Sequence, residues 1–109
     1  MILVLSPDAA ADIATIVRYS KREWGPKQAR RYGDGLINML RLIADRPEIG
    51  RPIHNFPDRF MKVTYQSHHI YFVVEQQDVV IVRVMHQARD APRQIVFRSC
   101  LTSVGTPYA

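Results

Sequence analysis

Two neighbouring segments constrain this chain more than any other feature, because each reads as a strand that is apolar on both faces. In a regular strand over residues 79–86, Val80, Val82 and Val84 point one way and Val79, Ile81 and Met85 the other. Over residues 68–75, Ile70, Phe72 and Val74 stand against Tyr71 and Val73. A sheet with one wet face alternates apolar with polar, so this pattern demands cover on both faces. An uncovered apolar face would be a liability for a lone domain.

One cover is legible upstream. Residues 2–5 form a short apolar strand, and Ser6-Pro7-Asp8 is a helix start, with a capping hydroxyl, a proline for the first turn and an acid for the positive helix end. Ala9, Ile13, Ile16, Val17, Ser20 and Trp24 then follow helical spacing, while Asp12, Arg18, Lys21 and Arg22 fall mostly opposite. Gly25 suits the left-handed end of that helix, and Pro26 starts another, with Ala29, Tyr32, Leu36, Met39, Leu40 and Ile43 as its apolar stripe. So short a connector forces an antiparallel helical hairpin. Gly33 and Gly35 inside the second helix each cost about 1 kcal/mol against alanine, which close approach of the first helix would offset. Pro47 ends it.

Residues 47–58 carry turn and loop chemistry, and three strand-like segments follow at about 59–65, 68–75 and 78–86. The expected fold is α+β: β-α-α-β-β-β, with an N-terminal strand, the helical hairpin and a mainly antiparallel sheet. The hairpin covers one sheet face. The second cover falls to the C-terminal segment, where Ile95, Val96 and Phe97 form an apolar patch, to another protein, or to both. The expected division is a domain over 1–91 and a C-terminal extension over 92–109, partner-contacting or flexible.

Fifteen Lys and Arg against ten Asp and Glu give a net charge of +5, which favours an acidic partner. Cys100 is alone, so an intrachain disulfide and a thiolate metal cluster are both excluded, as suits a reducing compartment. Residues 1–5 are too short for a signal sequence and no run approaches a membrane span, so a cytoplasmic protein without membrane contact is expected.

The residues able to carry chemistry are Arg59, Lys62, His68, His69, Tyr71, Arg83, His86, Arg89 and Asp90. Arg83 reads either as a structural cation, paired with Glu75, Asp90 or a loop carbonyl, or as an anion-binding fork. His86 reads as a structural hydrogen-bonder or an acid–base group. In a regular strand these two face opposite sides, which weakens any site that uses both. His68 and His69 also diverge, so they cannot share a metal from one strand. Arg59 and Lys62 fit phosphate binding or edge protection. Neither a metal nor a cofactor is expected.

Several short motifs now fall in order: Ser6-Pro7-Asp8-Ala9-Ala10-Ala11-Asp12-Ile13, Trp24-Gly25, Gly50-Arg51-Pro52, Arg59, Tyr71-Phe72, and Arg83-Val84-Met85-His86-Gln87-Ala88-Arg89-Asp90. Together, over about residues 2–91, they resemble the ParE branch of the RelE/ParE superfamily, the toxins of type II toxin–antitoxin modules. The resemblance implies the same β-α-α-β-β-β order. It implies a cognate antitoxin, ParD-like with a ribbon-helix-helix domain, through which alone operator DNA is contacted. It further implies growth inhibition by protein–protein binding to DNA gyrase, with no catalytic residues. Trp24, Arg59, Lys62, Tyr71, Arg83, His86 and Arg89 are then candidate contacts with antitoxin or target. The alternative is a RelE-like, ribosome-dependent mRNA endoribonuclease using His86, Arg83, Arg59 and Lys62. A further alternative is a non-toxic module that binds only its antitoxin.

Overall fold

The computed structural model describes residues 2–53 and 59–88. Strand β1 (Ile2–Leu5) leads into helices α1 (Pro7–Trp24) and α2 (Pro26–Asp45), a short 3-10 turn (Pro47–Ile49), and strands β2 (Arg51–Pro52), β3 (Phe60–Tyr65), β4 (His68–Glu75) and β5 (Asp78–His86). One sheet holds all five strands in the order β1-β5-β4-β3-β2. Strand β1 runs parallel to β5 and the other neighbours are antiparallel. The expected order is present with one addition, β2, which pairs Arg51 with Lys62 and Pro52 with Met61. A two-residue strand containing proline has no periodicity to read, and proline is tolerated there because β2 is an edge.

Ser6 caps α1 as its position suggests: its hydroxyl accepts the Ala9 N–H at 3.0 Å. Gly25 ends the helix at φ +89°, a conformation that favours glycine, and joins α1 directly to α2. The two hairpin turns open on Gln66 and Gln76, both left-handed (φ 54° and 56°) without glycine. Leu36, Leu40 and Ile43 of α2 pack with Ile70, Phe72, Val79 and Ile81 of the sheet in one cluster. Val4, Phe60, Tyr71, Val73, Val80, Val82 and Met85 form a second cluster on the opposite face, with Ile53 against it. Both faces are buried, as the two-sided strands require. The expected C-terminal extension, 92–109, lies outside the described residues.

The two helical glycines have different causes. A Cβ on Gly33 would sit 3.5 Å from Val17 on α1, an ordinary contact. A Cβ on Gly35 would overlap the Tyr65 hydroxyl, so β3 rather than the first helix explains that glycine. Trp24, placed by its spacing on the apolar stripe of α1, is 63% exposed. No helix among the described residues is long and apolar enough to cross a membrane.

Candidate functional site

Strand β5 has nine residues and its parallel neighbour β1 only four, so β5 runs on past the end of β1. Helix α1 takes over that side. The Ser6 N–H donates to the Ile81 carbonyl at 2.9 Å, and its hydroxyl donates to the Val82 carbonyl at 2.7 Å. Nearly two turns on, the Asp12 carboxylate accepts the Val84 N–H at 3.0 Å. Side chains of one helix thus satisfy an edge that would otherwise be left open.

A bulge sits at the same place. Phe72 faces Ile81 and Tyr71 faces Arg83, which leaves Val82 without a cross-strand partner. Beyond it the alternation flips: Ile81 and Val84 both belong to the helix-side cluster, Val82 and Met85 to the other. The register keeps Arg83 and His86 on opposite parities, as expected, since Arg83 stands opposite Tyr71 and His86 opposite His68. Both nonetheless line one cleft between α1 and the end of β5, because Arg83 lies where β1 has ended and its side chain reaches Asp12 on α1. The sequence reading did not name the partner that the described residues give Arg83. Its guanidinium donates to both oxygens of Asp12, at 2.7 and 3.0 Å. Glu75 instead lies 3.2 Å from Arg59, and Asp90 is outside the described residues. The Asp12 hydrogen bonds raise the Arg83 pKa, against an opposing effect of burial.

A second group lies beside this pair. The Tyr32 hydroxyl and His68 Nδ1 are 2.6 Å apart, and the His68 and His86 rings meet edge to face at 5.4 Å. Burial holds the His68 imidazole below its ordinary pKa, with His86 and His69 adding to the effect and Asp12 opposing it. Burial also pushes the Tyr32 phenol up. His86 Nδ1 accepts the Ala88 N–H at 3.1 Å, a bond that places the proton of the neutral ring on Nε2.

The rim is aromatic. Tyr19 and Trp24 pack edge to face at 5.8 Å, with the Arg22 guanidinium 5.9 Å from the Tyr19 ring, and both aromatic side chains remain about half or more exposed. The cleft they border has a volume of about 980 Å³, large enough for a peptide segment. Its floor groups are largely committed to one another: Arg83 to Asp12, Tyr32 to His68, and His86 Nδ1 to the backbone. A proton-transfer site needs groups free to reach a substrate. Exposed indole and phenol beside satisfied polar groups make instead a surface suited to recognition.

Of the residues singled out from sequence, Trp24, His68, Arg83 and His86 meet at this cleft. Arg59, Lys62 and Tyr71 do not. Arg59 precedes β3 and pairs with Glu75, Lys62 lies on β3, and Tyr71 is buried in the second cluster. His69 faces away from His68, as strand alternation requires, and its Nδ1 lies 2.8 Å from the Thr64 hydroxyl. Arg89 is outside the described residues. Sequence reasoning missed Asp12 as the partner of Arg83, and Tyr32 and Tyr19 as cleft residues. Asp12 did carry a signal, since Ala9 and Ile16, three before and four after, put it on an apolar helix row.

Residues 3–91 match the model of the ParE toxin of the type II toxin–antitoxin system, parDE. The chain is similar to Toxin ParE1 of Caulobacter vibrioides, at 34% identity over 80% of this chain and 90% of that protein. It is also similar to Toxin ParE of Escherichia coli, at 29% identity over 87% of this chain and 93% of that one. Among solved structures it resembles a chain of the chromosomal ParDE TA system from P. aeruginosa, with a TM-score of 0.70 and 19% identity, over 79% of this chain and 95% of that one. This last likeness concerns the fold.

Proposed function

The chain belongs to the ParE toxin family of type II toxin–antitoxin systems, and on that premise we propose that it inhibits DNA gyrase by protein–protein binding. It is the toxin component of such a module, and its partner is a cognate antitoxin. On our reading that antitoxin is ParD-like with a ribbon-helix-helix domain, operator DNA is reached only through it, and the pair works in the cytoplasm. The supporting observation is the character of the cleft. Arg83 is paired with Asp12 and Tyr32 with His68, and His86 Nδ1 is held by the backbone, while Trp24 and Tyr19 remain open to a partner. A binding inhibitor needs a surface and no spare acid or base. In this reading Trp24 anchors the partner, and Arg83 and His86 shape the floor.

Two assays on the purified toxin test this. One follows supercoiling by gyrase together with trapped, cleaved DNA. The other follows mRNA cleavage on translating ribosomes. Loss of supercoiling without mRNA cleavage supports the proposal. Ribosome-dependent cleavage that disappears in His86→Ala would replace it with the endoribonuclease reading. Activity in neither would leave a module that binds only its antitoxin.

A further inference from the structure

The positive charge of the chain is gathered at one place, the tip where α1 turns into α2. Residues 18–31 hold six cations and one acid, a net charge of +5. That equals the net charge of the whole chain, because the remaining residues balance nine cations against nine acids. Arg18, Lys21 and Arg22 lie at i, i+3 and i+4 on the last two turns of α1, and Lys27, Arg30 and Arg31 repeat that spacing on the first two turns of α2. Each group therefore shares one helix face. All six residues are exposed, on the sides opposite the buried Ala9 and Ser20 of α1 and Ala29 and Leu36 of α2.

Local stability does not explain this cluster. Like charges at i, i+4 destabilise a helix, and each group contains such a pair, Arg18 with Arg22 and Lys27 with Arg31. Lys21 and Arg22 suit the negative end of α1, but Lys27 stands at the positive end of α2, which prefers acids and has none in its first turn. Among the described residues the cluster's one acid, Glu23, meets Arg22 only at 4.0 Å between exposed side chains, and Asp34, a turn further along α2, makes no ion pair with Arg30 or Arg31. The compensating charge must come from outside. Four of the six cations are arginines, whose planar forks hold phosphate oxygens in pairs. We propose that the tip of the α1–α2 hairpin binds the phosphate backbone of duplex DNA. The choice of DNA rests on the gyrase reading, since the tip borders the recognition cleft at Trp24 and a partner that holds DNA brings a duplex beside it. Tyr19 and Trp24 pack edge to face on each other, so they do not form the stacked platform that unpaired bases use. The apolar stripes of both helices are spent on the core, which leaves no apolar face to enter a bilayer. Backbone contact carries no sequence information, so it is distinct from operator recognition.

The test is fluorescence anisotropy of the full chain with a labelled DNA duplex of about twenty base pairs, across a salt series. Competitors are one strand of the same sequence, a duplex RNA, a poly-glutamate peptide, and vesicles of phosphatidylserine with phosphatidylcholine. The duplex is expected to bind at about 10 μM near physiological salt, with log affinity falling against log salt at a slope of about −4 to −5. The double variant Arg18→Glu, Lys27→Glu is expected to lose about thirtyfold in affinity and to flatten that slope by about 2. Both replacements turn like-charged helix pairs into attractive ones, so the same variant is expected to melt higher than the wild type, which separates lost binding from lost folding. Arg51→Glu, Lys62→Glu, an equal charge change on β2 and β3, is expected to lose less than about threefold. Equal losses in the two double variants, wild-type affinity in Arg18→Glu, Lys27→Glu, or tighter binding of any competitor would each overturn the proposal. Supercoiling is followed in parallel. Gyrase inhibition by a chain that does not bind the duplex sinks this proposal alone, and duplex binding without inhibition sinks the gyrase reading alone.

Discussion

The guanidinium of Arg83 holds both oxygens of the Asp12 carboxylate, and this bridge fastens α1 to β5 where β1 no longer reaches. Both side chains are less than a fifth exposed, and Asp12 also takes the Val84 N–H. Asp12→Ala takes the carboxylate away from a mostly buried guanidinium and from a backbone donor, so it should cost about 2–4 kcal/mol of unfolding free energy. Asp12→Asn keeps an acceptor for Val84 and should cost less. The double variant Asp12→Ala, Arg83→Ala should fall well short of the sum of the single losses. Urea denaturation measures all of these. A loss below about 1 kcal/mol in Asp12→Ala would show that water already serves these groups.

The histidines set a pH dependence whose sign follows from burial. His68 and His69 both have folded pKa values below the ordinary 6.5, chiefly because burial disfavours the charged ring. The unfolded chain therefore binds protons first as the pH falls. This contribution to stability is complete above pH 6.5 and is lost as the pH drops through the lower folded values. Unfolding midpoints should thus fall between pH 7.5 and pH 5. His68→Gln should flatten part of that slope, because the amide does not titrate. An unchanged slope in that variant would place the pH dependence elsewhere.

The glycines separate into opposite predictions. Gly33→Ala meets only an ordinary contact with Val17 and gains helix propensity, so it should stabilise by up to about 1 kcal/mol. Gly50→Ala drives its methyl into the ring of Phe72, which is fully buried, with the Met61 Cβ also 3.1 Å away. It should destabilise by about 1–3 kcal/mol. Gly35→Ala can be accepted only if the Tyr65 ring moves, and that ring packs on Tyr32 at 5.3 Å. Its signature should be a shifted His68 resonance together with lower thermal stability. Equal effects at Gly33 and Gly35 would refute the assigned contacts.

What the sequence hides, it hides for physical reasons. Strand alternation made both faces of β4 and β5 legible, and Ser6, Gly25 and Pro26 marked the helical hairpin, because these signals are local. The bulge at Val82 has no local mark. Val82-Arg83-Val84 alternates like any strand, and only the register against Tyr71 and Phe72 shows the extra residue. One unpaired residue was enough to move Val84 to the face opposite Val80 and Val82. Asp12 and Arg83 lie 71 positions apart, so their pairing is settled by packing alone. Gly35 reads correctly as a point of close approach but not as to which element approaches.

Trp24 gives the sharpest test of the cleft as a recognition surface. Its ring is 63% exposed and touches Tyr19 only edge to face, so Trp24→Ala opens no core cavity. Unfolding free energy should change by no more than about 0.5 kcal/mol. An exposed tryptophan beside a concave surface has the character of a binding hot spot, whose loss costs about 2 kcal/mol or more, roughly thirtyfold in affinity. Titration against the cognate antitoxin and gyrase inhibition by the same variant divide the outcomes. Loss in both assays means that antitoxin and target compete for one surface, which would explain neutralisation by simple occlusion. Loss only with gyrase separates the two contacts. A folded variant with full strength in both assays would remove the cleft from recognition altogether.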